Sequence, residues 1–400
     1  MTTTRAVPEA TGALLPGVAR IAVLRANALG DFLFATPALA ALRAAYPAAE
    51  VTLLGAPWHT RFLRDRPGPV DRVVVVPPAP GIRAADPGEA WSAADVERFR
   101  AAGRAERFDL GLQLHGGGAH STPLLASLRP RLTAGLRAPD APALDRWIRY
   151  TLHQPEVSRY LEAVALVGAA PVTLRPSVTV GDADRLEALT VAGAPGRPRV
   201  ALHPGAADPR RQWPPERFAA VGDAAAARGA EVFVTGSAAE RGIVGAVTAG
   251  MRAPARPLVD RLSVGGLAAL YVGCAVVVAN DTGPLHLAAA VGAATVGLFW
   301  VGNAVNSGPF EQHRHRALLS WTMSCPRCGA GRTAELYPLR DNGPGCDHGA
   351  AAAGRRGVDL ARDAPREDRI AAGGAPALHL LRRRGVLEQE AGGAERDGWT

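Results

Sequence analysis

Short apolar runs alternate with longer stretches of helical spacing twice along this chain, and this repeated alternation limits the possible folds more than any other feature. The apolar runs fall at 21–24, 51–54, 73–76 and 110–114 in the first series, and at 200–203, 232–235, 275–279 and 295–299 in the second. Such runs are typical of parallel strands covered by helices on both faces. The sequence therefore predicts an α/β fold with two doubly wound, Rossmann-like domains that face each other across a cleft.

The two series are separated by the segment 171–198, in which Pro and Gly residues surround one short helical stretch at 183–189. This composition is typical of a connection between domains. We therefore expect one domain over 1–180 and a second over 181–348. The remaining segment, 349–400, is rich in Ala, Gly and Arg, and it is predicted to be a flexible, low-complexity tail.

The charge of the chain favours acidic partners. All 45 basic residues are Arg, and the formal net charge is +8. Nucleotides, phosphorylated glycolipids and the anionic face of a membrane are suitable partners for such a protein. Nucleic acid is not expected, because no basic tract is interleaved with aromatic residues. The sequence shows neither a signal peptide nor a run of about 20 apolar residues, so the predicted location is the cytoplasm, with peripheral contact to the inner membrane as an option.

The strongest motif, NDTGPLHL, directly follows a β-branched run and opens an Ala-rich helix. Thr282 or Gly283 can cap this helix, and the free amides of its first turn can point at phosphate oxygens. His286 lies on the same turn and can add a hydrogen bond to a pyrophosphate. The alternative is that Asp281 and Thr282 only cap a structural helix. The position favours an anion site, because open α/β sheets bind ligands at the carboxyl ends of their strands.

A second motif begins at His203, at the end of a predicted strand, and runs through Gly205 and Ala206 to a pair of Arg residues that ends at Arg211. Small residues and two guanidinium groups suit a diphosphate, since each guanidinium can bind two oxygens at once. The alternative is a solvated turn in which Trp213 packs against the start of the next helix.

A third motif, Gly30-Asp31, follows the first predicted strand and precedes a stretch of helical spacing at 32–45. This position lets the carboxylate of Asp31 face the cleft from the first domain. The alternative is that Asp31 is a simple helix cap.

Together the motifs resemble one family, the bacterial glycosyltransferase family 9 typified by the lipopolysaccharide heptosyltransferases. The resemblance covers residues 20–57 and 199–300, with an outline match between them. The stretches that carry it are IAVLRANALGDFLFATPALAALRAAYP, HPGAADPRRQWPPERFAAV, TGSAAERG and NDTGPLHLAAAVGAATVGLF.

The resemblance implies a GT-B fold with an acceptor-binding amino-terminal domain and a donor-binding carboxy-terminal domain. It also implies an inverting sugar transfer that needs no cofactor and no catalytic metal. The donor would be a nucleoside diphosphate sugar, of which ADP-heptose is the best known in the family, and the acceptor a hydroxyl of a glycolipid or glycan. Neither the sugar nor the acceptor follows from this sequence.

The matching positions imply roles for individual residues. Asp31 would be the general base that takes the proton from the acceptor hydroxyl. Arg211 stands where the family commonly has Lys, and would offset the negative charge of the leaving diphosphate. Glu240 would contact the nucleoside. The implied donor-binding residues are His203, Gly205, Ala206, Arg211, Glu240, Asp281, Thr282, Gly283 and His286.

Late in the chain, Cys325, Cys328, Cys346 and His348 offer four ligands that could close around one structural zinc ion. The alternative is a set of free thiols. No part in catalysis is assigned to them.

Three other functions compete with sugar transfer. A nucleotide-sugar epimerase would share the paired α/β halves and the diphosphate site, but the Gly-Asp pair after the first strand favours transfer. A dehydrogenase needs a Gly-x-Gly-x-x-Gly turn, which residues 26–31 do not supply. A noncatalytic carbohydrate-binding or nucleotide-sugar-binding protein is the third alternative, and the presence of Asp31 beside a diphosphate site argues against it.

Overall fold

The computed structural model describes residues 12–208 and 211–320, apart from the side chains of 301 and 302. The proposed zinc ligands Cys325, Cys328, Cys346 and His348 lie outside the described residues, as do the predicted tail and its possible helix at 377–384.

The first half of the chain forms a parallel six-stranded sheet with the order β3-β2-β1-β4-β5-β6. Its strands are β1 (Arg20–Leu24), β2 (Glu50–Gly55), β3 (Arg72–Val75), β4 (Leu110–Gln113), β5 (Leu132–Arg137) and β6 (Arg146–Arg149). Its helices are α1 (Leu29–Ala45), α2 (Pro57–Leu63), α3 (Ala93–Ala105), α4 (Ser121–Ala126) and α5 (Glu156–Ala165).

The second half forms a parallel six-stranded sheet of the same topology, with the order β12-β11-β10-β7-β8-β9. Its strands are β7 (Arg199–His203), β8 (Glu231–Gly236), β9 (Arg256–Val259), β10 (Val276–Asn280), β11 (Thr295–Trp300) and β12 (His315–Ser320). The helices are α6 (Asp182–Ala192), α7 (Pro215–Ala226), α8 (Arg241–Gly250), α9 (Val264–Val272), α10 (Gly283–Ala290) and α11 (Val301–Ser307). The predicted pair of doubly wound sheets is confirmed.

The strand order reverses once in each sheet, between β1 and β4 in the first and between β7 and β10 in the second. The loops that leave neighbouring strands at such a point diverge to opposite faces and leave a crevice, which is where open α/β sheets bind ligands. All three sequence motifs leave one of these four strands. The topology therefore places them at the two crevices.

Four strands, β5, β6, β9 and β12, are absent from the sequence-based prediction. Three of them lie at sheet edges, where one side of the strand is unpaired and a continuous apolar run is not needed. β5 is central, but its small residues include Gly135, whose Cβ position lies 2.2 Å from the carbonyl oxygen of Gln113. Close backbone approach, rather than apolar bulk, fixes this strand.

The two halves are joined through the helices that carry the motifs. α1 packs along α10, and the segment between the halves runs against both. In that segment Ser177 donates its amide to the Thr36 hydroxyl of α1 at 3.1 Å, and Val178 donates to the carbonyl of Ala290 in α10 at 3.3 Å. The exact domain boundaries at 180 and 348 stay predictions. Within the described residues, no helix has the length and apolar character that crossing a bilayer requires.

Candidate functional site

The first turns of α1 and α10 meet where the two halves of the molecule face each other. A Cβ atom on Gly283 would lie 3.1 Å from Cβ of Leu29 and 3.3 Å from the amide nitrogen of Gly30. A Cβ atom on Gly30 would lie 3.2 Å from Cδ2 of His286. Two glycines thus allow the Gly30-Asp31 motif and the Gly283 turn to touch. The positive ends of two helix dipoles lie close together here, which favours an anion between or beside them.

Asp31 lies in the first turn of α1, which begins at Leu29, three residues before the predicted start. Its Oδ1 accepts from Nη2 of Arg25 at 3.1 Å, and its backbone carbonyl accepts from Nε of the same Arg at 3.1 Å. Arg25 is 3% exposed, whereas the Asp31 side chain is 33% exposed. No described residue pairs with Oδ2 of Asp31. The carboxylate is therefore held by one oxygen and open at the other.

Asp281 follows β10 directly and is almost completely buried. Its Oδ1 lies 3.0 Å from Nε2 of His286 and accepts from the Ser307 hydroxyl at 3.1 Å. Its Oδ2 accepts from the Asn303 amide at 2.7 Å and lies 3.8 Å from Nη1 of Arg211. Burial by itself raises the pKa of Asp281, but the His286 ring, the Arg211 charge and the Asn303 amide together bring it below its usual value. Asp281 is thus an enclosed anion that orients its neighbours.

Asp281 brings the His286 ring and the Arg211 guanidinium together. With Nε2 bonded to Asp281, His286 can donate a hydrogen bond through Nδ1 only when its ring carries the second proton. The other side of this ring contacts Phe34 of the opposite half, with 4.6 Å between ring centroids. Arg211 remains 39% exposed, and among the described residues only its Nη1 has a partner, which leaves Nε and Nη2 available to a ligand. Thr282 occupies the N-cap position of α10, as one of the two predicted caps, although its side chain makes no capping hydrogen bond.

The loop after β7 is built around a second acid, Glu240. Its carboxylate lies against the backbone of Gly205, where a Cβ atom would be 1.9 Å from Oε1. Nε2 of His203 lies 3.7 Å from Oε1, and the amide and hydroxyl of Ser237 donate to Oε2. The His203 ring and then Ser237 lower the pKa of Glu240 to about 2, against the effect of burial. Glu240 is therefore ionised at neutral pH.

Most residues of the second motif are buried beneath the surface of the loop after β7. His203 is buried, with Nδ1 3.0 Å from the Thr235 hydroxyl, which in turn lies 3.1 Å from the Tyr271 hydroxyl. Gly205 and Ala206 are also buried, and the Ala206 carbonyl accepts from Gln212 at 3.0 Å. These residues shape the loop and hold Glu240, rather than offering a surface of their own.

Asn280 connects the loop after β7 with the start of α10, and the sequence-based prediction gives it no role. It ends β10, is fully buried, and donates from Nδ2 to the Pro204 carbonyl at 2.7 Å. Its Oδ1 accepts from the amide of Trp213 at 3.1 Å. Asn280 therefore fixes the loop that carries Arg211 relative to the α10 turn. A polar residue that ends an otherwise apolar strand is the sequence signal that points to it.

Arg25, Asn303 and Ser307 are also absent from the predicted site. Their importance comes from contacts with distant residues, Asp31 for the first and Asp281 for the other two. Among the described residues, no three His, Cys, Asp or Glu side chains are grouped so that they could hold a metal ion.

The model of glycosyltransferase family 9 (heptosyltransferase) matches residues 96–333, which is more than half of the chain. Lipopolysaccharide heptosyltransferase 1 of Pseudomonas aeruginosa is 31% identical over 149 residues, which make up 37% of this chain and 41% of that protein. The match thus spans less than half the length of this relative.

Solved structures resemble most of the chain. The glycosyl transferase family 9 protein of Veillonella parvula matches with a TM-score of 0.65 and 21% identity, over 76% of this chain and 86% of that one. ADP-heptose LPS heptosyltransferase II of E. coli matches with a TM-score of 0.62 and 19% identity, over 75% and 89%. E. coli heptosyltransferase WaaC with ADP matches with a TM-score of 0.59 and 19% identity, over 75% and 93%. The fold is GT-B. The chain belongs to glycosyltransferase family 9.

Proposed function

We propose that this protein is an inverting glycosyltransferase, which moves a sugar from a nucleoside diphosphate to a hydroxyl of a glycolipid or glycan. Membership of family 9 supports the reaction class. The observation that carries the proposal is the close approach of Gly30 to Gly283, because it sets the carboxylate of Asp31 beside a helix turn suited to a diphosphate.

Asp31 acts as general base in this proposal. Its open Oδ2 takes the proton from the acceptor hydroxyl while the hydroxyl oxygen attacks the anomeric carbon. The bond from that carbon to the diphosphate breaks on the opposite face, so the configuration inverts and the nucleoside diphosphate leaves. Arg25 keeps Oδ1 occupied, and the attacking group therefore meets one defined oxygen.

The donor side stabilises the leaving diphosphate. The amides at the start of α10 and the exposed guanidinium of Arg211 face the developing negative charge, and the His286 ring lies on the same helix turn. Asp281 acts through Arg211 and His286, since its own carboxylate is enclosed. Such preorganised charges supply the role that a metal has in other transferases, so we propose a reaction without metal or cofactor.

Glu240 is proposed to bind the nucleoside. An ionised carboxylate accepts hydrogen bonds from vicinal hydroxyls, and the sugar of a nucleoside presents two of them. Its neighbours His203 and Ser237 hold the carboxylate in place. The depressed pKa of Glu240 supports a site that stays charged at any physiological pH.

ADP-heptose is the donor that we propose first, with a lipopolysaccharide-type glycolipid as acceptor. The relatives support this choice, because two of them are lipopolysaccharide heptosyltransferases and one was solved with ADP. Action in the cytoplasm, beside the inner membrane, would bring the enzyme to such an acceptor.

A donor screen tests the proposal. Thermal unfolding is followed with ADP-, GDP-, UDP- and dTDP-sugars and with NAD, because a ligand that binds only the native state raises its stability. One class of nucleotide sugar is expected to raise the melting temperature, and that donor is then tested for hydrolysis and transfer. Stabilisation by NAD with indifference to every nucleotide sugar would contradict the proposal. Stable binding of a donor without any cleavage would favour a noncatalytic binding protein.

A further inference from the structure

We propose that Arg25 is a positioning residue for Asp31. We also propose that a chain of side-chain contacts through Tyr160, Glu156 and Arg159 orders the loop 151–154 together with Asp31. The inference rests on the proposed function, because it assigns the alignment of the proposed base to residues on the acceptor side. The loop 151–154 belongs neither to the three sequence motifs nor to the turn at the start of α10.

Arg25 holds Asp31 through both its backbone and its side chain. Nε donates to the Asp31 carbonyl and Nη2 to its carboxylate, each at 3.1 Å. Nη1 donates to the Leu114 carbonyl at the end of β4 at 2.9 Å. All three nitrogens are therefore used, and the guanidinium ties the first turn of α1 to the neighbouring strand. A lysine would keep the charge but could not make this set of contacts.

The face of the Arg25 guanidinium lies over the ring of Tyr160, 4.9 Å from its centroid. Tyr160 belongs to α5 and donates its hydroxyl to Oε2 of Glu156 one turn earlier. Burial raises the pKa of Tyr160 well above its usual value, so the hydroxyl stays protonated and remains a donor. The chain from Asp31 thus passes through a cation, an aromatic ring and a second carboxylate.

Glu156 pairs with Arg159, whose side chain is completely buried. Nη2 of Arg159 donates to the carbonyls of Thr151, Leu152 and Gln154 at 2.7, 3.1 and 3.0 Å. These three carbonyls define the loop 151–154, which follows β6. Because β6 is parallel to β1, its loop lies at the same edge of the sheet as Asp31.

The charges along this chain alternate: Asp31 is negative, Arg25 positive, Glu156 negative and Arg159 positive. The two arginines are buried, and a buried charge persists only with a partner, so loss of one link disturbs the next. The loop 151–154 and the proposed base are therefore ordered together. An acceptor that seats against this loop would meet an aligned Asp31, which couples acceptor binding to the chemical step.

The test compares Arg25→Lys and Tyr160→Phe with Arg199→Lys as matched control. Arg199 is also buried, also bonded to backbone carbonyls, and also lies over an aromatic ring, that of Phe233, but it begins β7 at the opposite end of its sheet. Tyr160→Phe keeps the ring beneath Arg25 and removes only the hydroxyl, so it folds even if Arg25→Lys does not. The measurements are kcat, donor KM, donor Kd, and hydrogen exchange in peptides covering 25–36 and 148–156.

Arg25→Lys is expected to lower kcat about tenfold, and Tyr160→Phe about threefold, with donor Kd unchanged, because misalignment of a base slows chemistry without weakening donor binding. Exchange should rise in both peptides for both variants and in neither for Arg199→Lys. A role in stability alone would change the melting temperature and leave kcat of the folded enzyme intact.

Equal kcat for Arg25→Lys and Arg199→Lys would overturn the positioning role, provided that Asp31→Asn is inactive. Exchange that rises only around the mutated residue would overturn the link between the loop and the base. Full activity of Asp31→Asn would instead contradict the proposed base, and the exchange data would still decide whether Arg25 orders the α1 turn.

Discussion

The molecule contains two strand-turn-helix units that look alike in sequence and differ in surroundings, β1 with α1 and β10 with α10. Each places an Asp near the start of its helix and a Gly within two residues of that Asp. The Asp31 side chain is 33% exposed and bound by one Arg, whereas that of Asp281 is 4% exposed and surrounded by four donors. The exposed acid is suited to take a proton, and the enclosed acid is suited to hold cations.

The difference shows that the residue type at a helix start does not set its chemistry. Arg25 reaches Asp31 from the preceding strand end, while Asp281 receives Asn303 and Ser307 from α11, the element that follows the next strand. The surrounding donors decide whether a carboxylate is open to substrate or committed to protein partners. Changing each acid in turn separates the two roles.

Asp31→Asn should cause the largest loss of activity. The amide retains the shape of the side chain but cannot accept the proton, so kcat should fall about 1,000-fold while donor Kd stays within about twofold. Single-turnover kinetics and calorimetric titration with the donor measure the two quantities. Asp95→Asn is the control, since Asp95 also lies in a first helix turn of this half but on α3. Comparable losses in both variants would remove the special role of Asp31.

Asp281→Asn should show the opposite pattern. Arg211 and His286 lose their shared anion, so donor Kd should weaken about tenfold or more, and kcat/KM should fall about 100-fold. Stability should also fall by about 2 kcal/mol, because the donors around the buried carboxylate lose their charged acceptor. Asp184→Asn, which breaks the buried pair with Arg66, is the control and should lose stability without losing donor affinity. Unchanged donor binding in Asp281→Asn would contradict the role of Asp281 in orienting Arg211 and His286.

Gly283→Ala tests the contact between the two units. The added Cβ would lie 3.1 Å from Cβ of Leu29, so the α10 turn must shift relative to α1. We expect kcat to fall about tenfold, since a displacement of under 1 Å between reacting groups has effects of this size. Gly245→Ala on α8 meets nothing within 4 Å and should be as active as the wild type. A fully active Gly283→Ala enzyme would show that the close approach is not required.

The buried His59 should make the first half of the molecule sensitive to acid. Burial, with a smaller contribution from Arg25, lowers the pKa of His59 on α2 from 6.5 to about 3. The folded state therefore resists protonation, and stability falls as pH drops below about 6.5, by about 2 kcal/mol at pH 5. The pKa of Glu240 is lowered from 4.5 to about 2, so the stability that its carboxylate contributes is lost only below about pH 4.5.

Urea denaturation between pH 7 and pH 5 checks this prediction with His59→Asn, in which the new side-chain oxygen can accept from Ala56 as the ring does. The variant should have a smaller slope in that range, and part of the remaining slope is expected from His315, whose pKa burial also lowers. His153→Asn, at an exposed position, should keep the full slope. An unchanged slope in His59→Asn would assign the acid sensitivity to other groups.

The sequence predicts those parts of the fold that depend on local pattern. Buried strands such as β1 and β10 are continuous apolar runs, and the motifs at Asp31 and Thr282 mark the helix starts that follow them. Edge strands such as β6 and β9 carry Arg or Pro and have no such pattern. Boundaries at helix starts are also shifted, because a Gly before Asp31 hides the first turn of α1.

The candidate site is predictable only in part, for a related reason. Asp31, Arg211 and His286 belong to local motifs, so their proximity to a ligand can be inferred from topology. The neighbours that set their behaviour come from elsewhere in the chain, as Arg159 on α5 and Asn303 on α11 do. Such contacts depend on tertiary packing, which no local pattern encodes.

A structure of the protein with a donor analogue that cannot be cleaved is the most direct test of the account. The diphosphate is expected at the amides of the α10 start, within hydrogen-bond reach of Arg211, and Oδ2 of Asp31 should open toward the face of the anomeric carbon opposite the leaving group, with room for one hydroxyl between them. A diphosphate bound away from Gly283, or an anomeric carbon shielded from Asp31 by protein, would contradict it.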